Sequence, residues 1–275
     1  MKKILVPTDF SENALSAVRY ALALATASQS AVHIVHALSA SKKAGHFSSV
    51  EDIILEEKEQ ELNKLLAELR PSLPENLPLT GAIQQDYVVD ALIAEADAIK
   101  ADYIVMGTEG ASGLKKWLVG STTNALIKNT TLPVLAVPAS SKPFAIDRIC
   151  LALDLSKPIN SAALKPLLFL AQQFKAQLDL LEVRLDANAG LPQIHPSVEA
   201  ELKLMSIKYR AYKTTAKQTS EIDDAILDFA KTSNADLVCI LNQSEQRSWW
   251  QNLFHTSVSA EIAYQTTLPL LVLHI

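Results

Sequence analysis

Short runs of apolar and β-branched residues alternate along the chain with longer stretches in which apolar positions recur every three or four residues. That is the pattern of βα units wound around a parallel sheet. Ile4-Leu5-Val6 predicts the first strand, and the next stretch places Leu15, Val18, Leu22 and Ala25 on one helical face, with Ser11 positioned to cap that helix. Ala31–Leu38 predicts a second strand, residues 50–69 a long charged helix, Leu79–Gln84 a third strand, Val88–Lys100 a helix and Tyr103–Met106 a fourth strand. A helix from Ser121 and a last strand at Val134–Val137 complete a five-stranded, doubly wound unit. The acidic run from Glu56 to Glu61 falls on the second helix and reads as a solvated face.

The pattern then repeats. "TTLPVLAVP" from Thr130 matches "TTLPLLVLH" from Thr266, and "DALIAEADAIKADYIVMG" from Asp90 aligns without a gap to "DAILDFAKTSNADLVCIL" from Asp224. Asp102 thereby corresponds to Asp236. Near the two starts, "KILVPTDFSENALSA" resembles "RICLALDLSKPINSA", pairing Asp9 with Asp154 and Ser11 with Ser156. A duplicated unit accounts for all three matches. Pro138 to Pro143 has linker chemistry, since its prolines cannot join a central strand, and the boundary is expected near Ser140: domains 1–140 and 141–275.

Bulk properties agree with two globular domains. The chain has 275 residues, 49% of them hydrophobic and 20% charged, enough to bury substantial cores. A formal charge of −5 provides no positive field for a phosphate backbone, so nucleic acid is not an expected partner. Two cysteines, Cys150 and Cys239, form no C-x-x-C pair, and the opening "MKKILVP" has no long apolar core with a cleavage site. The expectation is a cytoplasmic protein with no membrane partner.

Four of the seven glycines lie between positions 107 and 120. Gly107 follows a buried-type strand, Gly110 comes after two more residues, and Gly120-Ser121 opens a helix after nine more. Glycine accepts positive φ and lets a ligand approach the backbone, so such a loop can aim several N–H groups at an anion. The helix N-terminus adds unpaired N–H groups and the positive end of its dipole, and the hydroxyls of Ser121 and Thr122 can donate to phosphate oxygens. A tight connection plus a helix cap is the competing explanation of the same glycines. In flavodoxin-like order the first and fourth strands are neighbours at the topological switch point, so Asp9 and Gly107 would both line the crevice beyond their carboxyl ends. Asp9 can accept hydrogen bonds from a sugar or base there, and it can equally cap the helix together with Ser11.

"ILVPTDFSENALSAVRYALALA", "VHIVHAL", then G-x-x-G-x9-G-S and a closing "LPVLAVP" resemble the universal stress protein (UspA-like) family in its tandem, two-domain form. The resemblance covers the whole chain. It implies an α/β fold of two tandem flavodoxin-like, Rossmann-like (HUP-type), doubly wound parallel five-stranded sheets. It also implies an adenine-nucleotide site holding ATP with Mg²⁺: Asp9 at the nucleoside end, the backbone around Ala37 beside the adenine, and Gly107, Gly110, Gly120, Ser121 and Thr122 around the phosphates. Two departures stand out in the first copy: Phe10 where many relatives have glycine, and Gln85 and Tyr87 in place of a frequent Gly-x-Pro. The second copy departs further, with no glycine between Leu241 and Ile262 and with Asn242, Glu245 and His255 near the glycine positions. Side chains there would crowd a phosphate, so the second domain is expected to bind no ATP in the ordinary mode.

Catalytic signatures are missing: no G-x-x-x-x-G-K-[ST], no G-x-S-x-G and no H-E-x-x-H. Nucleotide binding is therefore expected rather than turnover, with a slow ATPase and a nucleotide-free scaffold as rivals. His33 and His36, read as sharing a strand face, superficially suggest a metal, but no third ligand accompanies them. His36 is instead expected to pack at the strand end near the nucleotide, and His195 reads as a loop residue. Lys115 and Lys116 read as solvated, with folding over the phosphates as the alternative. Trp249 and Trp250 read either as an interaction patch or as filler of a vacated ligand space. The edge strands Val134–Val137 and Leu270–Leu273 are expected to pair with each other; the resemblance implies that this gives an internal pseudo-dimer and leaves further homodimer formation open.

Overall fold

The computed structural model of the chain describes residues 1–39, 49–108, 121–141, 146–153, 155, 160–185, 193–217, 221–242 and 268–274. The first half runs β1 (Lys3–Pro7), α1 (Glu12–Ser28), β2 (Ala31–Leu38), α2 (Ser49–Leu69), a 3₁₀ turn at Arg70–Ser72, β3 (Leu79–Gln85), α3 (Val88–Ile99), β4 (Tyr103–Gly107), α4 (Ser121–Asn129) and β5 (Val134–Val137). The second half runs β6 (Arg148–Ala152), α5 (Ser161–Phe174), β7 (Gln177–Arg184), α6 (Pro196–Leu204), β8 (Tyr209–Thr215), α7 (Ile222–Thr232), β9 (Leu237–Asn242) and β10 (Leu270–His274).

The ten strands form one continuous sheet in the order β3-β2-β1-β4-β5-β10-β9-β6-β7-β8. Neighbours are parallel except at the centre, where β10 meets β5 antiparallel with Leu271 opposite Leu135. The two doubly wound sheets expected from the sequence are thus fused along their terminal strands. Central strands read as unbroken apolar runs because helices cover both faces: all four residues of β5 are buried, whereas the outer strands β3 and β8 carry threonine, glutamine and basic residues.

Local signals explain the element ends. Ser11 caps α1 by accepting from the Ala14 N–H at 3.2 Å, and α1 stops where Gln29 turns left-handed at φ 50°. Asp102 accepts from the Lys3 N–H at 2.9 Å and the Lys2 ammonium at 2.7 Å, pinning the start of β1. Its counterpart Asp236 accepts from the N–H groups of Asp147 and Arg148, both at 2.9 Å, at the start of β6. Gly81 permits a close approach on β3: a Cβ there would lie 3.0 Å from the Ile34 carbonyl oxygen and 3.2 Å from Leu62 of α2. His195, expected in a loop, is the N-cap of α6, its Nδ1 accepting from the Ser197 N–H at 3.3 Å.

Two apolar layers cover the sheet, and each draws on both halves. One contains residues of α1, α2, α5 and α6, the other residues of α3, α4 and α7. Across the centre, the Tyr103 hydroxyl donates to the Pro166 carbonyl of α5 at 2.7 Å, and its ring lies 6.5 Å from that of Phe169. The acidic run on α2 is exposed, as its charges predict.

Candidate functional site

The chain leaves β1 for α1 on one face of the sheet and leaves β4 for α4 on the other, while β1 and β4 are paired side by side through Ile4–Tyr103 and Leu5–Ile104. A crevice opens where neighbouring strands send their connections to opposite faces. Asp9, Gly107 and Thr108 stand at the carboxyl ends of these two strands, and the Thr108 N–H continues the ladder to the Val137 carbonyl at 3.1 Å.

Asp9 is exposed, and its Oδ1 accepts from both the N–H and the hydroxyl of Ser11. Ser11 is the residue that caps α1, and Asp9 supports that cap through Ser11. Beneath it the buried Thr8 is a hub that sequence reading missed. Its Oγ1 accepts from the Phe10 N–H at 3.0 Å, its N–H donates to the Val35 carbonyl at 2.9 Å, and its carbonyl lies 2.8 Å from His36 Nδ1. A carbonyl can only accept, so His36 carries a proton on Nδ1.

Phe10 adopts φ 63°, the left-handed region that glycine enters freely and phenylalanine enters at a cost of roughly 1–2 kcal/mol. What holds it there is packing: its ring lies 4.6 Å from the His36 ring, the Lys58 ammonium of α2 sits 5.0 Å above it, and it contacts the α1–α2 core layer. Ala37 is half-buried near the end of β2, paired with Gln84 on β3.

His33 and His36 do not share a face. They are three positions apart on a strand whose side chains alternate, so His36 lies with Phe10 on the α1–α2 side and His33 lies on the α3 side against Glu95.

At the other wall, Ser121 is exposed and Thr122 half-buried at the first two positions of α4. The next residue, Thr123, is buried, and its hydroxyl donates to the Gly107 carbonyl at 3.0 Å, tying the start of the helix to the end of β4. The "STT" following Gly120 was the available signal for this contact: a third hydroxyl, one position further round the helix, faces the strand. Gly110, Gly120, Lys115 and Lys116 lie outside the described residues, as do Asp154, Glu245, Trp249, Trp250 and His255. The structure thus brings Asp9, Ala37, Gly107, Ser121 and Thr122 to the carboxyl end of the first-half strands.

The second half differs at the equivalent point. Tyr103 pairs with Ile4 and Leu237 with Ile149, so Leu241 occupies the place of Gly107. Leu241 is buried in the same core layer as Leu237 and Cys239. Hydrocarbon fills a place that the first half leaves to a hydrogen atom.

A sequence model of the universal stress protein family matches residues 1–138 and 145–274. Among characterised relatives, the universal stress protein MJ0577 of Methanocaldococcus jannaschii is 33% identical over 152 residues, covering 50% of this chain and 94% of its own. MJ0531 of the same organism is 29% identical over 153 residues, covering 51% of this chain and 84% of its own. A universal stress protein crystal structure from Archaeoglobus fulgidus superimposes with a TM-score of 0.68 at 18% identity, covering 98% of this chain and 97% of that one. One from Pseudomonas aeruginosa gives 0.63 at 16% identity, covering 100% and 93%.

Proposed function

Because the chain belongs to the universal stress protein family, we propose that it is a cytoplasmic stress-response protein whose N-terminal unit, residues 1–140, binds ATP with Mg²⁺, and whose C-terminal unit, residues 141–275, is a structural or regulatory partner without an ordinary nucleotide site. The observation that carries this reading is the α4 terminus. The nine-residue α4 starts beside the end of β4, with Ser121 and Thr122 in its first turn and Thr123 fixed to the Gly107 carbonyl at 3.0 Å, so its first-turn N–H groups, which no helix bond uses, lie at the switch point. A phosphate chain suits such a terminus because the exposed N–H groups and the helix dipole both favour negative charge.

In this reading Gly107, Gly110, Gly120, Ser121 and Thr122 surround the phosphates, Asp9 accepts from the ribose, and the backbone at Ala37 lies beside the adenine. The role of Asp9 is compatible with its contact to Ser11, because a carboxylate accepts several hydrogen bonds at once. Mg²⁺ supplies charge neutralisation of the phosphates. The buried Leu241 supports a silent second unit, since an apolar core side chain takes the position of the first glycine of the first-half loop.

Protein purified without added nucleotide and then mildly denatured should release an adenine nucleotide identifiable by mass spectrometry, about one per chain. Release of none, or of another compound class, contradicts the proposal. Phosphate release by purified protein, with Gly120→Val as the control, separates binding from slow hydrolysis.

A further inference from the structure

Away from the crevice, β2, β3 and α3 line up a hydroxyl, an imidazole and a carboxylate. Thr80 stands opposite His33 in the β2–β3 register. His33 Nδ1 is 2.7 Å from Thr80 Oγ1, and His33 Nε2 is 2.8 Å from Glu95 Oε1. Glu95 is 8% exposed, and the Gln84 side-chain amide donates to its second oxygen. Thr80 is exposed on the outermost strand of the sheet.

These distances fix the protons. Glu95 offers no proton, so Nε2, 2.8 Å from its Oε1 though out of hydrogen-bond alignment, is the nitrogen that carries one, leaving the Nδ1 lone pair to accept the Thr80 hydroxyl. In that tautomer an imidazole can take a hydroxyl proton while a carboxylate orients the ring. Burial, aided by the positive charge of Lys3, holds His33 below its ordinary value against the opposing pull of Glu95, so the ring is a neutral base at pH 7.

The fold itself does not require this arrangement. In the second half the corresponding facing pair is Asp179 and Arg210, and Phe229 takes the position of Glu95. The same strands and helix form there with unrelated side chains.

We propose that Thr80, His33 and Glu95 constitute an acyl-accepting site for small activated esters and thioesters. Thr80 is the nucleophile and His33 its base, while Glu95 and Gln84 are positioning residues. Thr80 Oγ1 bonds to the acyl carbonyl carbon as its proton passes to His33 Nδ1. The tetrahedral adduct collapses, the carbon–oxygen or carbon–sulfur bond to the leaving group breaks, and the leaving alcohol or thiol takes the proton back from His33. The products are an ester on Thr80 and a free alcohol or thiol.

The full chain treated with p-nitrophenyl acetate tests this. An acetyl group should map by mass spectrometry to the peptide containing Thr80, and its rate of appearance should rise with pH through a midpoint below about 6.5 and then level off. His33→Gln should slow it about 100-fold, the usual scale of general-base assistance. Glu95→Gln should slow it less and shift the midpoint. Thr80→Ser should retain acetylation at that position, and Thr80→Val should abolish it. Acetylation confined to lysines, or a Thr80 rate that His33→Gln leaves unchanged, overturns the proposal. Should His33→Gln fail to fold, the wild-type pH profile decides, because a rate at Thr80 that keeps climbing with hydroxide above about pH 7 instead of levelling off also overturns it.

Discussion

Phe10 stands at a backbone position built for glycine. Its φ of 63° suits glycine, yet its ring is tied to His36 and Lys58. Phe10→Ala loses the ring and keeps the strained backbone, whereas Phe10→Gly loses the ring and relieves the strain. Phe10→Gly should therefore be the more stable of the two by about 1 kcal/mol, the reverse of the usual order of alanine and glycine. Denaturant unfolding of both variants checks this. The departure at Phe10 was visible in the sequence, but the contacts that hold it were not, because Lys58 arrives from a helix that begins nearly forty residues further along the chain. Thr123 was missed for a similar reason: its partner is a backbone carbonyl, which every residue carries and no sequence distinguishes. Thr123→Val removes that donor at nearly constant volume and should cost about 1 kcal/mol of stability. It should also weaken nucleotide binding, measurable by titration.

Elements were more legible than contacts. The strands and helices of the first half appear within a residue or two of their predicted limits, because alternation and helical spacing are properties of the chain itself. The alignment of Asp102 with Asp236 acquires a cause at the level of elements, since Asp102 holds the Lys3 N–H at the start of β1 and Asp236 holds the Asp147 and Arg148 N–H groups at the start of β6. Asp102→Ala and Asp236→Ala should each destabilise the protein by about 0.5–1.5 kcal/mol, the net worth of the hydrogen bonds lost, since water can reach most of the freed donors. The two losses should nearly add, as the sites share no partners. Thermal unfolding of the single and double variants measures both statements.

At the scale of the whole molecule, the duplicated pattern predicted two units and a strand pair between them, but it did not reveal that the apolar layers run unbroken across the junction. Tyr103, Phe169 and Pro166 contribute to that continuity from different copies and carry no repeat signal. Leu135→Ala at the antiparallel pair should cost about 2–5 kcal/mol, a fully buried leucine being lost from the common core. Acid should also loosen the whole. Burial lowers both His33 and His274 in the folded state, so the unfolded chain binds their protons first. Their contribution is intact above about pH 6.5 and is lost as pH falls below it, while Asp223, raised by burial, works in the opposite sense at the acid end. Unfolding midpoints compared at about pH 7 and pH 5.5 should fall accordingly. A two-unit molecule with one nucleotide seat should show it in calorimetric titration of the full chain with ATP and Mg²⁺. A stoichiometry of one per chain, abolished by Gly120→Val and indifferent to Asp154→Ala, is the predicted result. Two sites per chain, or a single site that survives Gly120→Val and disappears with Asp154→Ala, would contradict it.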